Sequence, residues 1–412
     1  MRRLSVLVLP LLLGPLIACG GSSQADSAAG SAPSTTASGD LAVPEATASG
    51  SGGTAAAARA VPRLAVSRLV TGLDHPWDVR ELPGGRLIYT QRERATLSIW
   101  RDGRSTTLRF PSSSVWVSGE TGLMGLEVDP DFARTRRVYT CQGATTTGGG
   151  HDVRVVAWRL DDAYRTATYA RTLVKGLPVS RQQPGRHGGC RLLIAKDGSL
   201  YVGTGDAATT GTSRSLTSLG GKTLRLDRRT GAPWPTNRWI RSAVKAKRYV
   251  FTYGHRNVQG LAQRRDGSIW SIEQGTNRDD EVNYLARGRD YGWNPGPGYD
   301  ESRPMTDQSL PGYQWPARWR SGDPTLATSG GDFVDGTRWG AYDGTLAVAA
   351  LKAGRVVFLR FDSKGRLTGT REPSELQQDG RIRTVHQRAN GDLLVTTDNG
   401  GGDDAILLVT PR

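Results

Sequence analysis

A short apolar strand signal recurs six times along the chain, and this repetition constrains the possible folds more than any other feature. The copies start 47 to 77 residues apart, and a Gly-Gly, Asp-Gly or Asn-Gly turn directly precedes five of them. They occupy residues 86–90, 137–141, 199–203, 268–272, 345–349 and 392–396. No long stretch has a helical period, so the repeats predict an all-β fold, a six-bladed β-propeller of four-stranded antiparallel blades.

Polar residues follow each copy of the repeated strand. They are Gln91-Arg92, Gln142, Gly205-Asp206, Glu273-Gln274, Leu351-Lys352 and Thr397-Asp398. Equivalent strand ends of a propeller converge on its axis, so six blades can deliver a ring of polar groups to one mouth. Strands also end in ordinary polar turns, and the spacing alone does not separate the two interpretations.

The N-terminal segment predicts export. Arg2 and Arg3 precede an apolar run over residues 4–18, which is too short for a spanning helix and is interrupted by prolines. Residues 16–19, Leu-Ile-Ala-Cys, resemble a bacterial lipobox, which implies cleavage of a signal peptide over residues 1–18 and lipidation of Cys19. The alternative is a plain signal peptide with an incidental cysteine. We expect a protein anchored by lipid at the outer face of a bacterial membrane.

Composition divides the rest of the chain in two. Residues 19–62 are dominated by Gly, Ser, Ala and Thr, which cannot bury a core, and they predict a flexible tether. Residues 63–412 are long enough for the propeller as a catalytic domain. The net charge is +15, but export argues against a nucleic-acid partner. The arginines either form a solvated surface or, in part, line an anionic ligand site.

Two cysteines, Cys141 and Cys190, remain after the predicted processing site. An even pair in an oxidising compartment favours a disulfide over a metal site. Two small buried apolar side chains are the other interpretation.

Residues 253–293 carry the densest set of orienting groups. They hold a Gly-His-Arg-Asn cluster, a Trp-bearing strand, Glu-Gln-Gly and an Asp-Asp-Glu run. A guanidinium, an amide, carboxylates and glycine carbonyls suit an anionic ligand held together with a hard cation. The alternative is a charged surface loop. Earlier in the chain, His187 lies among glycines that let a ligand approach closely. The serine-hydrolase elbow, the zincin motif and the dinucleotide fingerprint are all absent from the sequence.

Seven motifs occur in an order that resembles the soluble, PQQ-dependent aldose sugar dehydrogenases, relatives of soluble glucose dehydrogenase. The resemblance begins near Gly72 and runs to the C-terminus. The motifs are His75-Pro-Trp-Asp, 119–125 (GETGLMG), His187-x-Gly-x-Arg191, 253–260 (YGHRNVQG), Glu273-Gln-Gly with Asp279-Asp-Glu, Tyr291-Gly-Trp and Arg381-Ile-Arg. Each motif alone is weak, and the ordered set is specific.

This resemblance implies roles for residues near the reaction. His187 is implied as the general base that takes the proton from the sugar C1 hydroxyl while hydride passes to C5 of the quinone, giving a lactone. Arg256 is implied to stabilise negative charge on the quinone oxygen. Glu120 and Asn257 are implied as polar neighbours of the cofactor, although relatives often carry Gln at the position of Glu120.

The resemblance also implies how PQQ and Ca²⁺ are held. Lys352, Arg381 and Arg383 are implied to pair with the PQQ carboxylates. The carbonyls of Gly275 and Thr276 are implied to bind the Ca²⁺ that grips PQQ, and Glu281 with the Tyr291 carbonyl to bind a second, structural Ca²⁺. Relatives commonly have Gly where Cys190 stands, and we hypothesise a Cys141–Cys190 disulfide beside the His187 loop.

The resulting expectation is an enzyme that oxidises aldose sugars and passes electrons to an external acceptor. Two other functions remain open: a sugar-binding propeller without catalysis, and a propeller lactonase that uses metal-bound water. The collection of cations around one site favours the dehydrogenase, because a hydrolase has no need of them. The sequence does not identify the sugar.

Overall fold

The computed structural model describes residues 59–412, so Cys19, the export signal and most of the predicted tether lie outside the described residues. Within them, six sheets of four antiparallel strands form a ring, which confirms the predicted all-β, six-bladed propeller. No helix of the described part has the length and apolarity that crossing a membrane requires.

The strands account for nearly all of the regular structure. In chain order they are β1 (Leu64–Leu73), β2 (Pro76–Leu82), β3 (Arg86–Gln91), β4 (Thr96–Arg101), β5 (Arg104–Thr107), β6 (Leu123–Val128), β7 (Arg137–Thr145), β8 (His151–Leu160), β9 (Ala167–Leu177), β10 (Arg191–Ile194), β11 (Ser199–Gly203), β12 (Lys222–Asp227), β13 (Val250–Tyr253), β14 (Val258–Gln263), β15 (Ile269–Glu273), β16 (Glu281–Tyr284), β17 (Trp319–Arg320), β18 (Thr328–Val334), β19 (Thr345–Ala350), β20 (Arg355–Phe361), β21 (Leu367–Arg371), β22 (Ile382–Gln387), β23 (Leu393–Thr397) and β24 (Asp404–Pro411). The two short α-helices are α1 (Phe132–Thr135) and α2 (Lys245–Tyr249).

The ring is closed by a blade that combines strands from the two ends of the described chain. Five blades take four consecutive strands each, whereas the sixth consists of β22, β23 and β24 with β1 as its outer strand. Strand β1 runs antiparallel to β24, from Leu64 opposite Pro411 to Leu73 opposite Asp404. The first strand of every blade contacts the first strands of its two neighbours, so these six strands surround the axis.

The repeated sequence signal marks the second strand of each blade. The antiparallel register places the end of that strand beside the start of the first strand, as in the pairs Pro76–Gln91 and Val258–Glu273. All six polar strand ends therefore lie at one end of the ring, together with the loops that precede the first strands. We call this end the mouth and the opposite end the back face. The predicted ring of polar groups is present.

Apolar side chains fill the spaces between blades. Trp270 of the fourth blade, which is fully buried, shows the pattern, because its ring packs against Phe333 and Phe361 of the fifth blade and Tyr284 of its own. Strands of a sheet whose two faces are both covered have continuously apolar sequences. This explains why the sequence reveals the repeated strands.

Cys141 and Cys190 form a disulfide, with their Cα atoms 5.4 Å apart, so the predicted pairing is confirmed. Cys141 lies in β7 of the second blade, and Cys190 comes directly before β10 of the third. Cys190 has φ +77°, a backbone conformation that favours glycine. The bond joins two blades and fixes the end of the loop that carries His187.

Removing this disulfide should destabilise the propeller. The bonded cysteines are 49 residues apart, and closing a loop of that length contributes about 4 kcal/mol in the chain-entropy model. We expect the Cys141→Ala/Cys190→Ala variant to unfold at a lower denaturant concentration than the native chain. Dithiothreitol should lower the stability of the native chain and leave the variant unchanged. Equal stability of the two oxidised proteins would contradict the prediction.

Candidate active site

His187 and Asp206 form a buried pair at the mouth. His187 lies in the loop before β10, and its Nδ1 is 2.9 Å from Oδ1 of Asp206, which follows β11. A carboxylate only accepts hydrogen bonds, so the proton of this contact belongs to Nδ1 and the lone pair to Nε2. No described residue forms a hydrogen bond with Nε2. The pair presents an unprotonated ring nitrogen with a fixed orientation.

Close backbone approach makes this pair possible. A Cβ on Gly205 would lie 1.9 Å from the His187 carbonyl oxygen, so only glycine fits directly before Asp206. His187 itself has φ +52°, which turns its side chain back toward β11. The Trp293 indole N–H donates to Oδ2 of Asp206 at 2.7 Å and holds the carboxylate from its other side.

The inserted segment between β16 and β17 covers the pair. The Tyr299 hydroxyl donates to Oδ2 of Asp206 at 2.9 Å and lies 2.9 Å from Nδ1 of His187. Burial, followed by the charge of Asp206, raises the pKa of Tyr299 above its ordinary value. The phenol therefore stays protonated and acts as a donor.

Glu301, two residues further, lies between two guanidinium groups. Its carboxylate accepts hydrogen bonds from Arg186 at 2.7 Å and from Arg256 at 2.5 Å. Burial raises the pKa of Glu301, but the hydrogen bonds from Arg186 and Arg256 outweigh this effect and hold that pKa below its ordinary value. The inserted segment thus places a phenol and a carboxylate above the His187–Asp206 pair.

Glu120 and Asn257 join the loops of neighbouring blades. Glu120 accepts a hydrogen bond from the His187 backbone N–H at 3.2 Å and another from the Asn257 amide at 3.3 Å. The Asn257 side-chain oxygen accepts the Gly189 N–H at 3.2 Å. Both side chains lie beside the His187 loop and fix its backbone; their predicted role as neighbours of the cofactor stays a prediction.

The opposite side of the mouth is cationic. Arg383 in β22 donates to Oδ2 of Asp398 at 2.6 Å, and Arg381 donates through Nε to the Asp398 carbonyl at 3.0 Å. Although burial raises it, the charge of Arg383 and a hydrogen bond from His75 hold the pKa of Asp398 below its usual range. Burial, then the nearby charge of Arg383, lowers the pKa of Arg92. These side chains leave a surplus of positive charge.

Lys352, the remaining predicted cation, follows β19 and is exposed at the mouth. Its backbone N–H donates to the Leu326 carbonyl at 3.0 Å, whereas its ammonium group contacts no polar group of the described residues. The predicted cations Lys352, Arg381 and Arg383 therefore lie on the fifth and sixth blades, and His187 lies across the mouth on the third.

The predicted cation ligands occupy two places on the fourth blade. Gly275 and Thr276 follow β15, and the Asp280 carboxylate accepts the Gly275 N–H at 2.9 Å. No donor among residues 59–412 forms a hydrogen bond with the carbonyl oxygen of either residue. Such unpaired carbonyls are suited to a hard cation.

The second predicted cation site is more enclosed. Glu281 is buried, accepts a hydrogen bond from Thr306 at 2.8 Å and lies 3.4 Å from Nε of Arg320. Burial, then the charge of Glu273, raises the pKa of Glu281 to about 8. The Tyr291 carbonyl oxygen accepts no hydrogen bond from the described residues. Tyr291 stacks on His255, which contacts Glu273 at 2.8 Å.

Several residues of the site carried no assigned role from the sequence. Asp206 was visible as a polar strand end, but its partner lies 19 residues earlier. Tyr299 and Glu301 reach the site from the inserted segment, which repeats no strand signal, and Arg186, next to His187, contacts Glu301 there. A donor or carboxylate in such an insertion is recognisable only once the loop is placed in space.

The chain is similar in sequence to a family of known enzymes. A family model described as Glucose / Sorbosone dehydrogenase matches residues 73–408. Aldose sugar dehydrogenase YliI of Escherichia coli K12 is 28% identical over 349 residues, covering 82% of this chain and 91% of the relative.

Two solved structures have the same architecture and similar sequences. The PQQ-bound form of aldose sugar dehydrogenase from Streptomyces coelicolor has a TM-score of 0.71 at 28% identity, covering 85% of this chain and 100% of that one. The apo-form of the soluble aldose sugar dehydrogenase from Escherichia coli has a TM-score of 0.74 at 28% identity, with coverage of 85% and 100%.

A buried lysine supports the loop that carries Asp206. The Lys222 ammonium donates to the carbonyl oxygens of Thr212, Ser213 and Gly220 at 2.8, 2.7 and 2.6 Å. Burial lowers the pKa of Lys222 to about 7, opposed by the charges of Asp206 and Asp290. Three acceptors around one nitrogen match the three N–H groups of the charged form.

Lys222→Met should therefore destabilise the domain. The substitution leaves three buried carbonyl oxygens without a donor, and each unpaired group costs about 1 to 3 kcal/mol. We expect the free energy of unfolding to fall by at least about 3 kcal/mol, measured by denaturant titration. Lys175→Met, at an exposed position, is the matched control and should change it little. Equal stabilities of the two variants would show that the lysine does not hold the loop.

Proposed function

Because the chain belongs to the glucose/sorbosone dehydrogenase family, we propose that it oxidises aldose sugars at C1 to lactones with PQQ and Ca²⁺. The observation that carries this proposal is the free Nε2 of His187, which Asp206 orients at a mouth whose other side is cationic. The proposal includes transfer of the electrons to an external acceptor. A lactonase or a sugar-binding protein has no evident use for the surplus cations.

The residues of the mouth fit PQQ, an anion with several carboxylates. Lys352 has no polar partner among the described residues, and the buried Nε atoms of Arg256 and Arg383 have no acceptor. Lys352, Arg381 and Arg383 would hold the carboxylates, and Arg256, Asn257 and Glu120 would lie beside the ring system. When bound, PQQ accepts the hydride and Ca²⁺ draws electron density from it.

The unpaired carbonyls of Gly275 and Thr276 fit Ca²⁺ in the same way. A hard cation can bind these oxygens without breaking a hydrogen bond, because neither oxygen accepts one from the described residues. A second Ca²⁺ would bind Glu281 and the Tyr291 carbonyl. The buried Glu281 carboxylate lies 3.4 Å from Nε of Arg320, its counter-ion among the described residues. Both calcium assignments belong to the proposal.

In this reaction His187 acts as the general base. Nε2 takes the proton of the sugar C1 hydroxyl, and the Nδ1 proton stays in its hydrogen bond to Asp206. The carboxylate stabilises the imidazolium that forms, and it is itself held by Trp293 and Tyr299. Arg256 lies on the same side of the mouth, where its positive charge stabilises negative charge that develops during hydride transfer.

The proposal is tested by reconstitution. Purified chain is mixed with PQQ and Ca²⁺, and dye reduction is followed with a panel of aldoses. We expect activity that depends on both additions and is lost with EDTA, together with a PQQ-dependent change in absorbance. An absorbance change without turnover on any sugar would indicate a binding protein instead. The absence of both the activity and the absorbance change would reject PQQ chemistry for this chain.

Two variants separate the proposed roles within the same assay. His187→Ala should keep PQQ affinity and lose turnover by about 100-fold or more, since general-base catalysis contributes at least that much. Lys352→Ala should instead weaken PQQ binding by about tenfold or more, because one charge-assisted contact is lost. Lys364→Ala removes an exposed lysine of the back face and serves as the control. Turnover that survives in His187→Ala would refute the assignment of the base.

We also propose that the protein is exported and anchored through a lipidated Cys19, on the evidence of the Leu-Ile-Ala-Cys sequence at residues 16–19. The intact mass of the chain produced in a bacterial host should equal that of residues 19–412 plus acyl groups. Residues 19–412 carrying Cys19→Ala, produced without the export signal, should have no acyl mass and partition into the aqueous phase of a detergent extraction. A mature chain that begins elsewhere and carries no lipid would contradict the anchor.

A further inference from the structure

A groove on the outer part of the back face is lined by five arginines. They belong to the second and third blades and surround a space of about 740 Å³. We call it the arginine groove, and its arginines are Arg134, Arg137, Arg159, Arg171 and Arg229. Tyr169, whose side chain is 58% exposed, also lines it.

Carboxylates do not compensate this charge. Arg137, Arg159 and Arg171 contact no carboxylate of the described residues. Arg137 lies directly opposite Arg159 in the ladder between β7 and β8, and like charges at directly opposed positions are destabilising. An anionic partner would turn that unfavourable pair into a favourable one.

One carboxylate serves the rest of the groove. Asp131 lies 3.2 Å from Arg229, 3.2 Å from Arg228 and 3.4 Å from Arg134. Arg228 also lies 3.5 Å from Asp129, so Asp131 is the one carboxylate of the described residues that Arg134 and Arg229 of the groove share. The groove keeps a net positive charge of several units after all contacts within the described residues are counted.

The chain leading to Cys19 joins the propeller on the same face. Strand β1 starts at Leu64 opposite Pro411, at the end away from the mouth, and the Ala60 carbonyl accepts the Ala341 N–H there. A second groove surrounds this point, with a volume of about 650 Å³. It is lined by Arg59, Arg63, Arg338 and Arg412, beside Val61, which is 49% exposed.

We propose that the back face docks on anionic lipid headgroups, with the arginine groove as its main contact. The inference rests on the proposed lipid anchor at Cys19, to which a basic surface adds a second membrane-binding signal. Guanidinium groups bind phosphate oxygens well, and an exposed tyrosine suits the interfacial region. This orientation turns the mouth away from the bilayer, so that sugar and electron acceptor reach it from solvent.

The test measures binding of residues 19–412 carrying Cys19→Ala, produced without the export signal, to vesicles of phosphatidylglycerol or phosphatidylcholine; this form has neither the acyl groups nor the apolar leader. We expect sedimentation with phosphatidylglycerol alone, weakening as salt is added. Arg137→Gln/Arg159→Gln/Arg171→Gln should lower partitioning at least about tenfold, because each basic residue near an anionic bilayer contributes roughly fivefold. Should that variant fail to fold, Arg159→Gln alone should lower it about fivefold.

A matched control removes the same charge from other exposed arginines. Arg181→Gln/Arg303→Gln/Arg371→Gln changes three exposed arginines that lie outside the groove, and its partitioning should equal that of the unsubstituted chain. Equal losses in the two triple variants would reduce the effect to net charge and overturn the proposal. Binding to both lipids alike would overturn it too. Binding to polygalacturonate but not to phosphatidylglycerol would identify the groove as a glycan site instead.

Discussion

A buried guanidinium at the axis connects four of the six blades, and the arrangement of the mouth depends on it. Arg191, the first residue of β10, lies 2.8 Å from Oδ2 of Asp78 in the first blade. It donates at 2.8 Å to the Gln259 carbonyl of the fourth blade and at 2.8 Å to the Thr384 hydroxyl of the sixth. Its guanidinium also stacks on Trp77 at 4.0 Å. Burial lowers the pKa of Arg191 to about 10, with Asp78 opposing.

The same guanidinium bears directly on the loop that carries His187, the proposed general base. His187 lies only four residues before Arg191, and Cys190 between them is bonded to the second blade. The loop is therefore fixed at its end by a disulfide and by a buried ion pair. Removing one partner of a buried ion pair is strongly destabilising. Such fixing would give the proposed general base the rigidity that it requires, because its orientation is set before substrate binds.

The sequence predicted what repeats and missed what is unique. Six strand signals, five of them preceded by a turn, predicted the blade number, because both faces of each second strand are covered and its residues are apolar. The signals did not reveal the first strands, whose buried polar residues Asp78, Arg191 and Thr384 face the axis and break the apolar pattern. Asp206 was found as a strand end without a role. Tyr299 and Glu301 lie in an insertion that repeats no strand signal, so only spatial placement shows their contacts.

The two sides of the mouth differ in how their charges are balanced, and this difference separates their tasks. On the third and fourth blades the Asp206 carboxylate has His187 as a partner, and the Arg256 guanidinium has Glu301. Paired groups hold fixed positions, which suits proton transfer to a neutral sugar. On the fifth and sixth blades Lys352 and Arg381 remain largely unpaired and exposed, which suits capture of an anion from solvent. A cofactor bound there would balance the cations without disturbing the pair that holds His187, the proposed base.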